Sequence, residues 1–379
     1  MKFQWSQQQD EFRSEVRATI YSLLPPSWAT ISTGGVGSTA QLEFSREFCS
    51  RLSQHGLLVP HWPVEFGGRA MSPWEQFILA EELCAAGEPR GLQYMNVNYI
   101  GPTIMAYGTP EQRAYHLELI RQGRTLWCQG YSEPDAGSDL AALRTKATRT
   151  ATGYVINGNK VWTSGAQCAD YCILLARTGE GKNNICVFLV PMKISGVTVR
   201  DIDGMIPGGG FHEVFFDNVE VPESARLGAE GQAWEIVRYS LQFERIGVPH
   251  YAKNGVVLDK IVKELQANGR WRDPLVRARA GRALAANAAA RALTYQVIAL
   301  RVQGLPPTAD VNVARIATIA AQKATTEFIG EIAPQYLANG ISEIEGLYRH
   351  AISTPIAAGA TEVQLDIVAQ SFLKLPRVK

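Results

Sequence analysis

Tyr154-Val-Ile-Asn-Gly-Asn-Lys-Val-Trp162 is the stretch on which the fold turns. Its β-formers flank Asn157-Gly158, and that pattern predicts a β-hairpin with its turn at these two residues. Working outward, Tyr171-Cys-Ile-Leu-Leu-Ala176, Ile185-Cys-Val-Phe-Leu-Val190, Val197-Thr-Val199 and Val214-Phe-Phe216 read as further short strands. Their spacing predicts a compact β barrel or sandwich. On the N-terminal side the pattern is helical. Phe12, Val16 and Ile20 recur near the helical period after the start signal Ser6-Gln-Gln-Gln-Asp-Glu11, and Pro25-Pro26 ends that helix. Helical patterns resume at Phe44–His55, Pro73–Ala86 and Pro110–Gln122, while the Gly-rich Ser32–Thr39 stretch reads as a surface linker. From Gln232 the helical period returns, in the Ala-, Leu- and Arg-rich Ala278–Val302, in Val311–Ile332 and after Gly359.

The order of helices, strands and helices predicts an α+β multidomain chain. Its parts are an N-terminal helical domain (1–125), a central β domain (126–230) and a C-terminal four-helix bundle (231–379). The same order argues against a parallel βαβ sheet and so against a Rossmann domain.

Composition narrows the function by exclusion. Hydrophobic residues at 46% and charged residues at 19% are a globular balance. Lys plus Arg at 37 against Asp plus Glu at 36 gives a net charge of +1, which supplies no general field for nucleic acid or an anionic membrane. No apolar run approaches the ~20 residues that a membrane span needs, and Met1-Lys-Phe-Gln-Trp-Ser6 leads straight into charged residues. A cytoplasmic location is the expectation. Cys49, Cys84, Cys128, Cys168, Cys172 and Cys186 read as small buried hydrophobes of a reducing compartment. The histidines are scattered without ligand spacing, so no metal is expected.

Chemistry is written most clearly in Gly130-Tyr-Ser-Glu-Pro-Asp-Ala-Gly-Ser-Asp-Leu-Ala141. Glycine and small residues let a backbone approach a ligand closely, and Ser132 and Ser138 supply hydroxyl donors. Taken alone, the stretch is also compatible with an ordinary strand-ending loop.

Tyr131-Ser-Glu-Pro-Asp-Ala-Gly-Ser-Asp139 closely resembles a signature of the acyl-CoA dehydrogenase family. Lys160-Val-Trp-Thr-Ser-Gly-Ala166 resembles the family's second signature, and Phe216-Asp-Asn-Val-Glu-Val-Pro222 the segment that closes its β region. Trp62-Pro-Val-Glu-Phe-Gly-Gly68 and Leu375-Pro-Arg377 match an N-terminal motif and a common ending, so the resemblance runs the length of the chain in order. It implies FAD as cofactor and an acyl-CoA thioester as substrate. By the matching motifs, Trp162 should lie against the isoalloxazine and Ser164 should bond near N5. Ser132 and the Tyr131 backbone should meet the pyrimidine edge, with Ser138 at the pyrophosphate. Gln335 matches one position of a further cofactor motif.

Dehydrogenating a thioester needs a base for the α-proton, and a carboxylate in a drying pocket suits that task. Many family members carry it just before the glycine of a C-terminal loop, but the matching position here is Ala358, in Ile356-Ala-Ala-Gly-Ala-Thr-Glu-Val363. Glu362 aligns elsewhere. A minority arrangement, that of isovaleryl-CoA dehydrogenases, places the base on a helix immediately before an arginine. Leu241-Gln-Phe-Glu-Arg-Ile-Gly247 fits it, which makes Glu244 the candidate base. The family's Arg-x-x-Phe-Gly segment has no clear counterpart, and Gln335-Tyr-Leu-Ala-Asn-Gly-Ile341 puts Ala338 and Asn339 where paired glycines are usual. This pattern resembles bacterial members for bulky substrates such as sterol side chains, some of them heteromeric. The resemblance therefore implies an FAD-dependent dehydrogenase making a trans-2-enoyl-CoA. It would pass electrons to electron-transfer flavoprotein or a similar acceptor and assemble as a homo- or heterotetramer. The alternatives are a catalytically silent partner subunit and an oxidase of the same fold.

Overall fold

The computed structural model describes residues 5–35, 37–181, 184–205, 210–244, 249–306, 308–337, 342–357 and 359–376. They form two compact units. One comprises Val36–Ala70 and Arg90–Glu244, and the other Met1–Gly35, Met71–Pro89 and Arg245–Lys379.

The first unit is organised by one mixed sheet of eight strands: β1 (Trp127–Gly130), β2 (Lys146–Arg149), β3 (Gly153–Lys160), β4 (Tyr171–Arg177), β5 (Ile185–Pro191), β6 (Val197–Asp201), β7 (His212–Pro222) and β8 (Arg226–Leu227). They lie in the order β6-β7-β3-β2-β4-β5-β8, with β1 parallel to β4. Alternate residues of β4 and β5 (Cys172, Leu174 and Ala176 with Cys186, Phe188 and Val190) point into one buried core, as the two-residue period of a strand requires.

The expected hairpin turn at Asn157-Gly158 is not there. β3 runs straight through both residues, because it is laddered on two sides: Lys146↔Asn157 and Ala147↔Ile156 on β2, Ile156↔Val219 and Gly158↔Phe216 on β7. The ladder to β7 shifts register between Ile156 and Gly158, where β7 carries an extra residue. Asn157 Oδ1 accepts the Asn218 N–H at 2.9 Å across that bulge. Gly158 is required here, since it has φ +149° and a Cβ would lie 2.6 Å from Thr145 Oγ1. The real turn joins β2 to β3 at Thr150-Ala-Thr152, closed by Thr150 N–H donating to Gly153 O at 2.8 Å.

Polar contacts tie the helices of this unit to the sheet and to one another. The helix Thr39–Gln54 is capped by Ser38, which accepts the Gln41 N–H, so it begins well before Phe44, directly after the Gly-rich stretch. Asp170, just before β4, accepts from Arg46 of that helix (3.0 Å), from Leu126 N–H (2.9 Å) and from Lys193 (2.9 Å). Trp62 is buried, with its indole N–H donating to Val97 O at 2.9 Å. Ala70 N–H closes back on Trp62 O at 3.0 Å. A Cβ on Gly68 would sit 1.9 Å from that same carbonyl, which gives the Trp62–Gly68 motif its physical reason. Gly68→Ala is expected to lower stability by at least about 1–3 kcal/mol through overpacking against backbone, read as a drop in thermal midpoint.

The second unit is helical. Its helices are Gln7–Ser22, Pro73–Ala85, His250–Ala267, Pro274–Val302, Asp310–Ile332 and Glu343–Ser353. Ser6 and Ser72 each head a capping box, with Gln9 and Glu75 as reciprocal partners. Val257, Ile261, Ala280, Ala283, Phe328 and Ile329 form its main core, and the alanines allow the two longest helices to pack closely.

Three separate pieces of chain meet at Glu81, which is buried. Its carboxylate accepts from Arg13 at 2.6 Å, from the Tyr251 hydroxyl at 2.6 Å and from the Tyr295 hydroxyl at 3.0 Å. Neighbouring Glu82 takes Arg13 and Arg17, both at 2.7 Å. Burial opposes ionisation of Arg13, but the two glutamates outweigh it and hold its pKa above the usual value. Among the described residues no helix is long and apolar enough to cross a membrane, and no group of acidic, His and Cys side chains has a metal-binding arrangement.

Candidate cofactor site

Five of the candidate cofactor residues stand on two segments of the first unit. Tyr131, Ser132 and Ser138 follow β1, whereas Trp162 and Ser164 follow β3. The segments are joined directly, Val161 N–H donating to Ser132 O at 2.9 Å. Beneath that link lies Lys160, fully buried, whose ammonium donates to Glu133 Oε1 at 2.7 Å and to Tyr131 O at 3.1 Å. Glu133 is also buried and accepts two backbone donors, Arg144 N–H at 2.6 Å and Thr145 N–H at 2.9 Å. Burial alone would raise the Glu133 pKa. The Lys160 charge and the donors at Thr145 and Arg144 overcome it, holding the group below the usual carboxylate value. Burial wins at Lys160, where the pKa falls below the usual lysine value despite the attraction of Glu133.

The segment after β3 is strapped on its far side as well. Thr163 N–H donates to His212 O at 3.0 Å, the His212 ring contacts Thr163 O at 3.1 Å, and Gly165 N–H donates to Gly210 O at 2.8 Å. Held at both ends, Trp162 keeps φ +61°, a left-handed conformation that is strained for a large side chain. Its indole is 60% exposed and meets Phe211 edge-on, with centroids 6.2 Å apart. A tryptophan fixed by the backbone around it yet left bare is suited to stack a planar ring. On the other segment Ser138 is exposed, and a Cβ on Gly137 would meet nothing within 4 Å, so that loop is open to close approach. A bare aromatic platform, backbone amides and hydroxyls on adjoining segments fit the isoalloxazine ring and the phosphates of FAD.

Gln335 belongs to the other unit, exposed on the short 3-10 helix Pro334–Leu337. Ala338, Asn339, Gly340 and Ile341, read as the degenerate part of that motif, lie outside the described residues, as do Arg245 and Ala358. Glu244 closes the helix Ala233–Glu244, which packs against the 96–107 helical stretch and β5 within the first unit. Its side chain is outside what the structure describes.

Sequence reasoning quoted Glu133 and Lys160 within the two signatures and gave neither a role. An acidic residue in one signature and a basic residue in the other were the available signal. His212, one of the histidines without ligand spacing, is 2% exposed and straps the Trp162 segment.

Family models described as acyl-CoA dehydrogenase N-terminal, middle and C-terminal domains match residues 6–124, 128–219 and 231–373. The chain belongs to the acyl-CoA dehydrogenase family and is an FAD-dependent oxidoreductase of that family's three-domain fold. It is similar to acyl-CoA dehydrogenase IpdE1 of Mycobacterium tuberculosis, being 33% identical over 97% of this chain and 98% of that protein. Among solved structures it is similar to the Tcur3481-Tcur3483 steroid ACAD, with 31% identity, TM-score 0.90 and full coverage of both chains (100% each). The ChsE4-ChsE5 complex from Mycobacterium tuberculosis is also similar, at 30% identity and TM-score 0.87, again over 100% of each chain.

Proposed function

We propose that this chain introduces a double bond between Cα and Cβ of an acyl-CoA thioester, with Glu244 as the base that removes the α-proton. FAD, when bound, would supply the two-electron acceptor that receives the β-hydrogen as hydride. The observation that carries the reading is the exposed, backbone-clamped Trp162 beside the Tyr131–Ser138 loop. Trp162 walls one flavin face and leaves the other for substrate. Ser164 would bond near N5, Ser132 and the Tyr131 backbone would meet the pyrimidine edge, and Ser138 would serve the phosphate-bearing portion, while Gln335 would serve the cofactor of a neighbouring subunit. Glu244 holds the α-proton once substrate has excluded water, since desolvation favours the protonated acid.

For the acyl group we propose a bulky alicyclic or sterol-derived chain. The support is the similarity to a structure titled steroid ACAD, together with a base placed on a helix rather than on the C-terminal loop. Electrons then pass to an external acceptor such as electron-transfer flavoprotein. The assembly is a tetramer, homomeric or α2β2. One similar structure is titled the ChsE4-ChsE5 complex, which also favours a second reading in which this chain serves chiefly to complete a partner subunit's site.

The test is the visible spectrum of purified protein during anaerobic titration with straight-chain, branched, alicyclic and steroid-type acyl-CoAs. Flavin absorbance should fall on addition of a bulky thioester and stay unchanged with short straight chains. A flavin-bearing protein that bleaches only with straight chains removes the substrate proposal. One that binds no FAD, alone or mixed with excess cofactor, turns the assignment to the partner-subunit reading.

A further inference from the structure

Lys160 places a full positive charge in the core of the first unit, and the chemistry above gives it nothing to do. Burying an ion pair is weak evidence of stabilisation, because desolvating both charges can cost as much as their attraction returns. The geometry instead shows the charge aimed at one peptide group. Of the ammonium's donors one goes to Glu133 and one to the carbonyl of Tyr131. The C=O and N–H of a planar trans peptide point in opposite directions. The N–H paired with the Tyr131 carbonyl is that of Ser132, so it is directed away from the buried lysine. Ser132's own carbonyl is taken by Val161, whereas no backbone acceptor among the described residues takes its N–H.

We propose that Lys160 is a positioning residue for the flavin: anchored by Glu133, its ammonium fixes and polarises the Tyr131–Ser132 peptide, so that the Ser132 N–H is a strengthened donor to the pyrimidine edge. This rests on the reading that places that edge at Tyr131 and Ser132. Glu133 is the anchor: two backbone amides fix its carboxylate, and the carboxylate in turn fixes the ammonium against the Tyr131 carbonyl. In a site of low dielectric, a cation behind an amide strengthens the hydrogen bond that the amide donates. Reduction of a flavin adds negative charge at that edge, so the reduced form gains more from the strengthened donor than the oxidised form does. Lys160 therefore raises both the affinity for FAD and its reduction potential.

The test compares wild type, Lys160→Arg and the double variant Lys160→Met/Glu133→Gln, which removes both charges and leaves no unpaired ion in the core. Three quantities are measured: the melting temperature of the apoprotein, the Kd for FAD, and the midpoint potential of bound flavin. The double variant should fold with a melting temperature lowered only by the one backbone amide that glutamine's single acceptor oxygen leaves unmatched, bind FAD at least about tenfold more weakly, as loss of a charge-assisted hydrogen bond implies, and hold it at a more negative potential. Lys160→Arg should recover part of both. A double variant that folds but no longer retains FAD also supports the proposal. Wild-type Kd and potential in the double variant overturn it, and so does a weaker Kd with unchanged potential. A double variant whose apoprotein fails to fold makes the pair structural only and overturns it as well. Absence of flavin from the wild type itself would overturn the cofactor placement together with this inference, and is distinguishable for that reason.

Discussion

Glu244→Gln is expected to give a protein that keeps its flavin spectrum and turns over about 10²–10⁴-fold more slowly, the range that a positioned acid or base contributes. Gln preserves the shape and polarity of Glu but does not accept the α-proton. The proposed cofactor contacts at Tyr131, Ser132, Ser138, Trp162 and Ser164 lie on other segments, after β1 and after β3, so cofactor retention should be unaffected. Steady-state rates with an artificial electron acceptor, alongside the 450 nm region of the spectrum, separate loss of chemistry from loss of FAD. Turnover within tenfold of wild type would remove Glu244 as the base. A matching Glu244→Asp variant should retain measurable activity, since a shortened carboxylate still accepts a proton.

The largest effect on stability is expected at Glu81. Glu81→Ala withdraws one carboxylate from Arg13, Tyr251 and Tyr295 together, leaving two hydroxyls and part of a guanidinium without their acceptor inside the fold. Breaking a buried ion pair from one side costs about 3–5 kcal/mol. The loss should appear as a lower midpoint in chemical denaturation. The adjacent exposed-face change Glu75→Ala should cost only about 0.5–2 kcal/mol, because it removes a cap contact and no buried partner. Equal losses at the two positions would contradict the role given to Glu81.

Local signals were legible where the structure is local. The helix starts at Ser6 and Pro73 were written in their first residues, and both are capped as those residues imply. The strand-rich middle was legible from β-branched runs, and the family's motifs pointed to Trp162 and the Tyr131–Ser138 loop. Asn157-Gly158 misled because a turn dipeptide and a bulge use the same residues, and only the second ladder, to β7, decides between them. The Glu133–Lys160 pair was illegible for a related reason. Its members are 27 positions apart, and neither strand signals that its terminal charge turns inward. Glu81 was hidden further still, as its hydroxyl partners come from 170 and 214 residues away.

That last separation has a consequence for the chain as it leaves the ribosome. The helix Pro73–Ala85 emerges with its cap already satisfied, but Glu81 has no Tyr295 until 214 more residues have been made. At ordinary rates of synthesis that interval is about 10–40 s. The sheet-bearing unit ends at Glu244, so all of its strands are available for folding while the helical unit still lacks Tyr251 and Tyr295. A chain stalled or truncated before residue 295 would carry a complete set of strands and an unclosed helical unit, and Arg13, Glu81 and Glu82 would meet the cell's quality-control machinery as solvated charges.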